Sequence, residues 1–450
     1  MAKTVKSMCS FCYVFNHDKV LLKISVIQLI ILRETAVAWQ SFLGICAFIG
    51  FAWIISENRR AFSWMFVVVG LGLQFGLAAA LLKIPLLQSL FLKLNAAVIV
   101  LQSATQTGTS FVFGYLGGGD LPFTENFPGA SFILAFQALP LVLLISALSA
   151  LLFYWDILPK IIRVFSIILE KSFGLSGAEG VGAAANIFVG MIEAPLLIRP
   201  IIQNLSRSQL FLIMTTGMAT IAGTMMVLYA SILEPIISGA LGHILTASII
   251  SAPAAIVIAK LMVPANGAAI NNSMDIPKSP ASGAMDAITR GTADGIGLLI
   301  SIIAMLIVLV ALVSLFNEAL ALLPDVAGQA LTLERFLGWI LQPVMWLMGI
   351  PWEQTATAGQ LFGIKVVLNE FLAYLKLSQL PSGSLDARSQ LIMIYALCGF
   401  ANFGSLGIMI GGLGGMAPER RSEIAALGPK SILSGALSTA LTGAIVGTLI

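Results

Sequence analysis

One carboxylate set in an apolar run limits what this chain can fold into more than any other feature. Between residues 186 and 200 only Asn186, Glu193 and Arg199 are polar, with Gly190 before the glutamate and Pro195 after it. An ionised side chain at membrane depth costs at least about 2.5 kcal/mol, so such a residue marks a functional site by default. Glycine and proline around it predict an interrupted backbone, which a membrane tolerates only where it lines protein or a water-filled cavity. Arg199 lies six residues on, beyond Pro195, so a helical ion pair at three or four residues is not open to Glu193.

Composition places that run in a membrane. Of 450 residues, 58% are hydrophobic and 10% are charged, where a soluble domain carries about 25% charged residues. The expected class is an all-α polytopic membrane protein. A net charge of +3 with no basic stripe gives nucleic-acid binding no support. Cys9, Cys12, Cys46 and Cys398 form no disulfide framework, and the lone pair Cys9 and Cys12 lacks the further ligands that zinc needs. His17 and His243 are far apart and build no cluster. No nucleophile elbow or P-loop is present, so an enzyme is not expected and ATP hydrolysis does not supply energy.

Along the chain, residues 1–37 hold Lys3, Lys6, Lys19 and Lys23 before an apolar run too short to span a bilayer comfortably. That leaves an interfacial segment or an upstream extension foreign to the native protein. Spans are expected at about 38–56 and 63–83, with Arg59 and Arg60 in a short cytoplasmic loop between them. Residues 88–118, broken by Gln102, Thr105, Gln106, Thr107 and Gly108, read as interfacial or packed against a neighbour rather than as a simple span. A span at 131–155 and an amphipathic interfacial helix at 157–173 follow. Further spans are expected at 208–232 and 245–264, then a polar loop at 265–294 and an uncharged scaffold or lipid-facing helix at 296–316. These limits divide the chain into 1–37, 38–175, 176–264, 265–334 and 335–450.

The last section repeats an earlier one. Glu193 is followed by Arg207, Ser208, Gln209 and Leu210, then by a span interrupted between Thr215 and Gly223. Glu370 is followed by Arg388, Ser389, Gln390 and Leu391, then by a span interrupted between Gly399 and Gly407. Paired interrupted segments at matching positions point to a secondary-transporter site at the bilayer midplane. Asn402 and Ser405, three apart, are expected on one helix face, while Thr215, Thr216 and Thr220 are as well explained by bonds to their own helix carbonyls. A carboxylate with Asn and Ser suits a polar, hydroxyl-rich substrate.

The motifs built on Gly190, Glu193, Ala194, Pro195 and Arg199, on Asn369 to Phe371, and on Cys398 to Ser405 resemble those of the concentrative nucleoside transporter family. Gly217 to Gly223 and Thr292 to Gly295 are similar too, in the family's order over roughly residues 38–450. The resemblance implies about eight transmembrane helices, two re-entrant hairpins, an internal inverted repeat, a homotrimer, and elevator-like movement in the cytoplasmic membrane. It also implies nucleoside import by cation symport, with no cofactor. Glu193 would face the nucleobase with Gly190, Met191 and Ile192. Glu370, Asn402 and Ser405 would hold ribose hydroxyls, with Phe400 lining the pocket. A sodium ion would lie at Asn186, the Val189 carbonyl, Thr220 and the Ile221 carbonyl, a proton being the alternative coupling ion. Family members that use sodium commonly carry Gln and Thr where this chain has Met191 and Ile192. That departure predicts altered base selectivity or another polar metabolite as substrate.

Overall fold

A computed structural model describes residues 39–61, 63–125, 130–265, 276–326 and 328–450. The expectation for residues 1–37 lies outside these, as do Cys9, Cys12 and His17. Among the described residues seven helices are long and apolar enough to cross a membrane, with two shorter apolar helices beside them.

The first helices are α1 (Trp39–Ile54), α2 (Trp64–Lys83) and α3 (Pro85–Phe113). The last corrects the expectation for 88–118, because α3 is one unbroken helix of 29 residues. Its polar side chains fold back onto their own helix: the hydroxyls of Thr105 and Thr107 donate to the carbonyls of Leu101 and Ser103 at 2.8 and 3.0 Å. Polar groups satisfied in this way do not end a helix. The short α4 (Leu134–Gln137) and α5 (Leu141–Tyr154) form the next span, and α6 (Ile157–Phe173) is the amphipathic helix expected there.

Two matched units follow. In the first, α7 (Gly177–Asn186) breaks before α8 (Glu193–Leu197) and a 3-10 turn at Arg199–Asn204. The chain then re-enters as α9 (Arg207–Ala219), breaks at Thr220, resumes as α10 (Gly223–Leu233), and continues as α11 (Ala240–Met262). Helix α12 (Ala284–Leu320) runs 37 residues, so the polar loop expected up to 294 gives way to helix at Ala284. After α13 (Leu333–Leu347) the second unit begins with α14 (Trp352–Val367), a break, and α15 (Glu370–Ser378). It ends with α16 (Ala387–Leu397), a break, α17 (Phe403–Met416), and α18 (Arg421–Leu449).

The repeat is inverted, and its two like-sequenced starts show this. Arg207, opening α9, pairs with Glu423 at the N-terminal end of α18, and with Glu57 in the α1–α2 loop. Arg388, opening α16, instead donates to the carbonyl of Gly447 at the far end of α18. Helices α9 and α16 therefore enter from opposite ends of α18. Their breaks meet in the middle, where the Phe400 amide donates to the Thr220 carbonyl at 3.3 Å. Glycine permits that approach: a Cβ on Gly399 would lie 2.9 Å from the Met218 carbonyl and 2.8 Å from Thr439.

Candidate functional site

Each break in the second unit is built by an asparagine cap. Asn369 leaves the helical region (φ −166°, ψ 167°), and its Oδ1 accepts from the Leu372 amide at 2.8 Å to start α15. Glu370 thus sits in the first turn, where the helix dipole favours a negative charge. Asn402 does the same for α17, its Oδ1 accepting from the Ser405 amide at 2.7 Å. The expectation that Asn402 and Ser405 share a helix face is corrected: Asn402 stands outside the helix as its cap.

The cap has a second hand free. Asn402 Nδ2 donates to Glu370 Oε2 at 2.9 Å, while the Tyr229 hydroxyl of α10 donates to Glu370 Oε1 at 2.6 Å. Glu370 is 4% exposed, so these charge-assisted bonds supply what burial takes from its hydration. Tyr229 came from no sequence signal, since nothing near it in the chain marks it. Lys365 did carry one, because it is an ionisable residue in an apolar run like Glu193. It is 0% exposed and donates to the Ala396 carbonyl at 2.9 Å and the Thr439 hydroxyl at 2.6 Å.

In the first hairpin Glu193 begins α8 and is exposed to the cavity. Its carboxylate lies directly over Gly190, where a Cβ would come 2.1 Å from Oε2. A cavity of about 170 Å³ collects Gly190, Met191, Ile192, Glu193, Glu370, Phe400, Asn402 and Ser405, every residue named for substrate from the sequence. Thr224 and Met225 of α10 join them. Part of the remaining wall is one stripe of α12 that includes Leu298, Ile302, Met305 and Leu309, spaced for a single helix face. The helix expected as scaffold or lipid-facing is therefore also a wall of the cavity. Met191 is buried against Gly217, and Ile192 packs on Gly412, so only part of each reaches the cavity.

The four positions named for an ion lie on the two facing breaks. Asn186, 1% exposed, ends α7 and donates from Nδ2 to the Thr216 hydroxyl at 3.1 Å. Its Oδ1 is buried with no hydrogen-bond partner, a state that costs about 1–3 kcal/mol unless something fills it. Thr216 and Thr220 spend their hydroxyl hydrogens on the carbonyls of Ile213 and Thr216, leaving oxygen lone pairs as acceptors. The Gly223 amide donates to the Phe188 carbonyl at 2.9 Å and holds the breaks carrying Val189 and Ile221 together. A buried, unpartnered amide oxygen beside neutral hydroxyls fits a hard cation. Thr216, not among the positions expected from the sequence, stands beside them through its bond from Asn186.

A helical membrane protein with two inverted, interrupted hairpins converging on a largely apolar cavity that holds two glutamates belongs to the inverted-repeat secondary transporters. Family models match residues 43–116 and 243–447 as the N- and C-terminal parts of the Na+ dependent nucleoside transporter, and residues 135–236 as a nucleoside-recognition "Gate" region. The Bacillus subtilis uncharacterized transporter YutK is 37% identical over 91% of this chain and 98% of its own. The Helicobacter pylori nucleoside permease NupC is 34% identical over 91% and 97%. A solved structure of CNTnw, inward-facing and substrate-bound, superposes with a TM-score of 0.83 at 34% identity, covering 92% of this chain and 99% of that one. The chain belongs to the Na+ dependent, or concentrative, nucleoside transporter family, multi-pass proteins of the cytoplasmic membrane and not enzymes.

Proposed function

We propose that this protein imports nucleosides across the cytoplasmic membrane by cation symport. The observation that carries the reading is Glu370, held from both sides by Tyr229 and Asn402 at the mouth of two helix N-termini and facing the cavity. A carboxylate fixed in this way accepts hydroxyl hydrogen bonds without reorganising, which suits the vicinal hydroxyls of a ribose. Ser405 and the Asn402 amide complete that side, and Phe400 lines it. Glu193 takes the base side, where Met191 and Ile192 leave shape and apolar contact to do the selecting. An apolar pocket discriminates weakly among isosteres compared with one built for hydrogen bonds. Broad base tolerance follows.

Sodium is the coupling ion in this reading, received by Asn186 and Thr220 and by the carbonyls of Val189 and Ile221, with Thr216 beside them. The orphaned Asn186 Oδ1 supports it, as does the family's description. Residues 176–264 and 335–450 move as a transport domain, elevator-like, against a scaffold that includes α12, and three protomers associate through that scaffold.

Radiolabelled uridine uptake into proteoliposomes, with sodium and proton gradients imposed separately, tests the proposal. Sodium-driven uptake that falls in Glu370→Gln and Asn402→Ala is expected, and Asn186→Leu should remove the sodium dependence. Absence of uptake of any nucleoside under either gradient would overturn the function. Wild-type uptake in Glu370→Gln and Asn402→Ala would overturn the ribose assignment.

A further inference from the structure

Two features of the repeats correspond in place and differ in chemistry. In the first unit the last turn of the hairpin's leading helix presents Asn186 to Thr216, in the last turn of α9. In the second unit the last turn of α14 presents Lys365 to the Ala396 carbonyl, in the last turn of α16. Each residue precedes its hairpin glutamate, Asn186 by seven positions and Lys365 by five.

The physical need at the two places is the same. A broken helix ends with carbonyls that have no intrahelical donor, at the negative pole of its dipole. Inside a membrane protein water does not serve them freely, so a cation is favoured there. In the first unit the protein leaves the Asn186 oxygen unpartnered. In the second it supplies an ammonium that fills the place itself. Lys365 Nζ reaches Ala396, takes the Thr439 hydroxyl of α18 as second acceptor, and lies 4.9 Å from the Phe362 ring centre. It also lies within electrostatic reach of Glu370, so the second hairpin carries its own counter-charge as it moves.

We propose that the Lys365 ammonium is a tethered cation, occupying in the second repeat the place that the coupling ion takes in the first. One of two matched sites is thereby closed to exchange, and one cation per protomer travels with substrate. The inference rests on the cation-symport reading, and Lys365 is a positioning residue in it, acting through the α16 break and Glu370 rather than on substrate.

The test uses the full chain in detergent and in proteoliposomes, with Lys365→Gln, Lys365→Arg and Lys365→Ala. Losing a charged hydrogen-bond donor to two buried acceptors is expected to lower uridine uptake roughly tenfold to a hundredfold in Lys365→Gln and Lys365→Ala, with Lys365→Arg retaining more. Sodium titration of the thermal midpoint, at ionic strength held with N-methylglucamine chloride, is expected to change from one saturable phase in the wild type to two in Lys365→Gln. Propylammonium should raise the thermal midpoint and uptake of Lys365→Ala, where tetramethylammonium at equal concentration does not. Should Lys365→Gln fail to fold, Lys365→Arg and the propylammonium response of Lys365→Ala decide the matter. Wild-type uptake and a single sodium phase in Lys365→Gln would overturn the proposal. So would failure of both Lys365→Arg and propylammonium to restore what Lys365→Gln and Lys365→Ala lose, since packing rather than charge would then be what the position supplies. A wild-type protein that takes up no nucleoside sinks the transport reading, while the amine response of the thermal midpoint still judges Lys365.

Discussion

Tyr229→Phe is the sharpest perturbation of the candidate site, because it removes one oxygen and keeps the ring. The ring stays packed against Phe371 and Tyr374, with centroids 6.2 and 5.1 Å away, so no large cavity opens. What disappears is a 2.6 Å bond to Glu370 Oε1 that exists before substrate arrives. Its loss is first a loss of stability, about 1.5–3 kcal/mol for a hydrogen bond to a charged group. The effect on transport is smaller and of a different kind. With Asn402 as its remaining side-chain partner, the carboxylate gains rotational freedom that substrate must remove. Ordering one side chain costs about 0.5–1.5 kcal/mol, which corresponds to uridine affinity weaker by roughly 2- to 12-fold. Concentration-dependent uridine uptake in proteoliposomes should show the rise in KM, and thermal unfolding in detergent the loss of stability. If both are unchanged, Tyr229 does not hold Glu370 in the working protein. A KM rise beyond about a hundredfold, well over 1.5 kcal/mol, would mean that Tyr229 touches substrate itself.

Three further outcomes follow from the same geometry. Gly190→Ala places a methyl 2.1 Å from the present position of Glu193 Oε2, so the carboxylate must move and uptake should fall, most visibly for substrates read by their base; an unchanged substrate profile would refute the placement of Glu193. Met191→Gln with Ile192→Thr restores hydrogen-bonding groups to the first hairpin and should sharpen discrimination among nucleosides, measured by competition of unlabelled purine and pyrimidine nucleosides against labelled uridine. At the membrane surface, the Arg207 guanidinium at 3.0 Å, with Lys430 at 2.9 Å, holds the Glu57 carboxyl below its ordinary value of 4.5. The folded value is the lower one, so this stabilisation is complete above the unfolded value and fades as pH falls through the folded one. Each exposed pair contributes about 0.2–1 kcal/mol, and Glu57→Gln should flatten the acid side of the stability profile; an identical profile would show the cluster to be inert.

Much of the repeat was legible because membranes punish ambiguity. A carboxylate such as Glu193 or Glu370 in an apolar run has few innocent explanations, and Gly, Pro and Asn beside it mark a break. The tetrapeptides at Arg207 and Arg388 flagged the pairing, yet their side chains do unlike work. Ser206 caps α9 one residue before Arg207, whereas Asp386 caps α16 two residues before Arg388. Arg207 then pairs with acids, and Arg388 with the carbonyls of Gly349 and Gly447. The polar run in α3 misled for the converse reason: threonine can satisfy itself on its own helix, so polarity alone does not predict a break.

From its sequence alone, then, this chain's residence in a membrane, its two interrupted segments and their glutamates could be read, because each follows from a local cost that a bilayer imposes, while the other residues of its cavity came from the family resemblance of the motifs. The tertiary structure decided what those residues are held by. Tyr229 reaches Glu370 across 141 positions and Thr439 reaches Lys365 across 74. The opposed directions of α9 and α16 likewise came from their contacts with α18. Hydrogen bonds of that range are set by how helices cross, and helix crossing leaves no periodic mark in the chain.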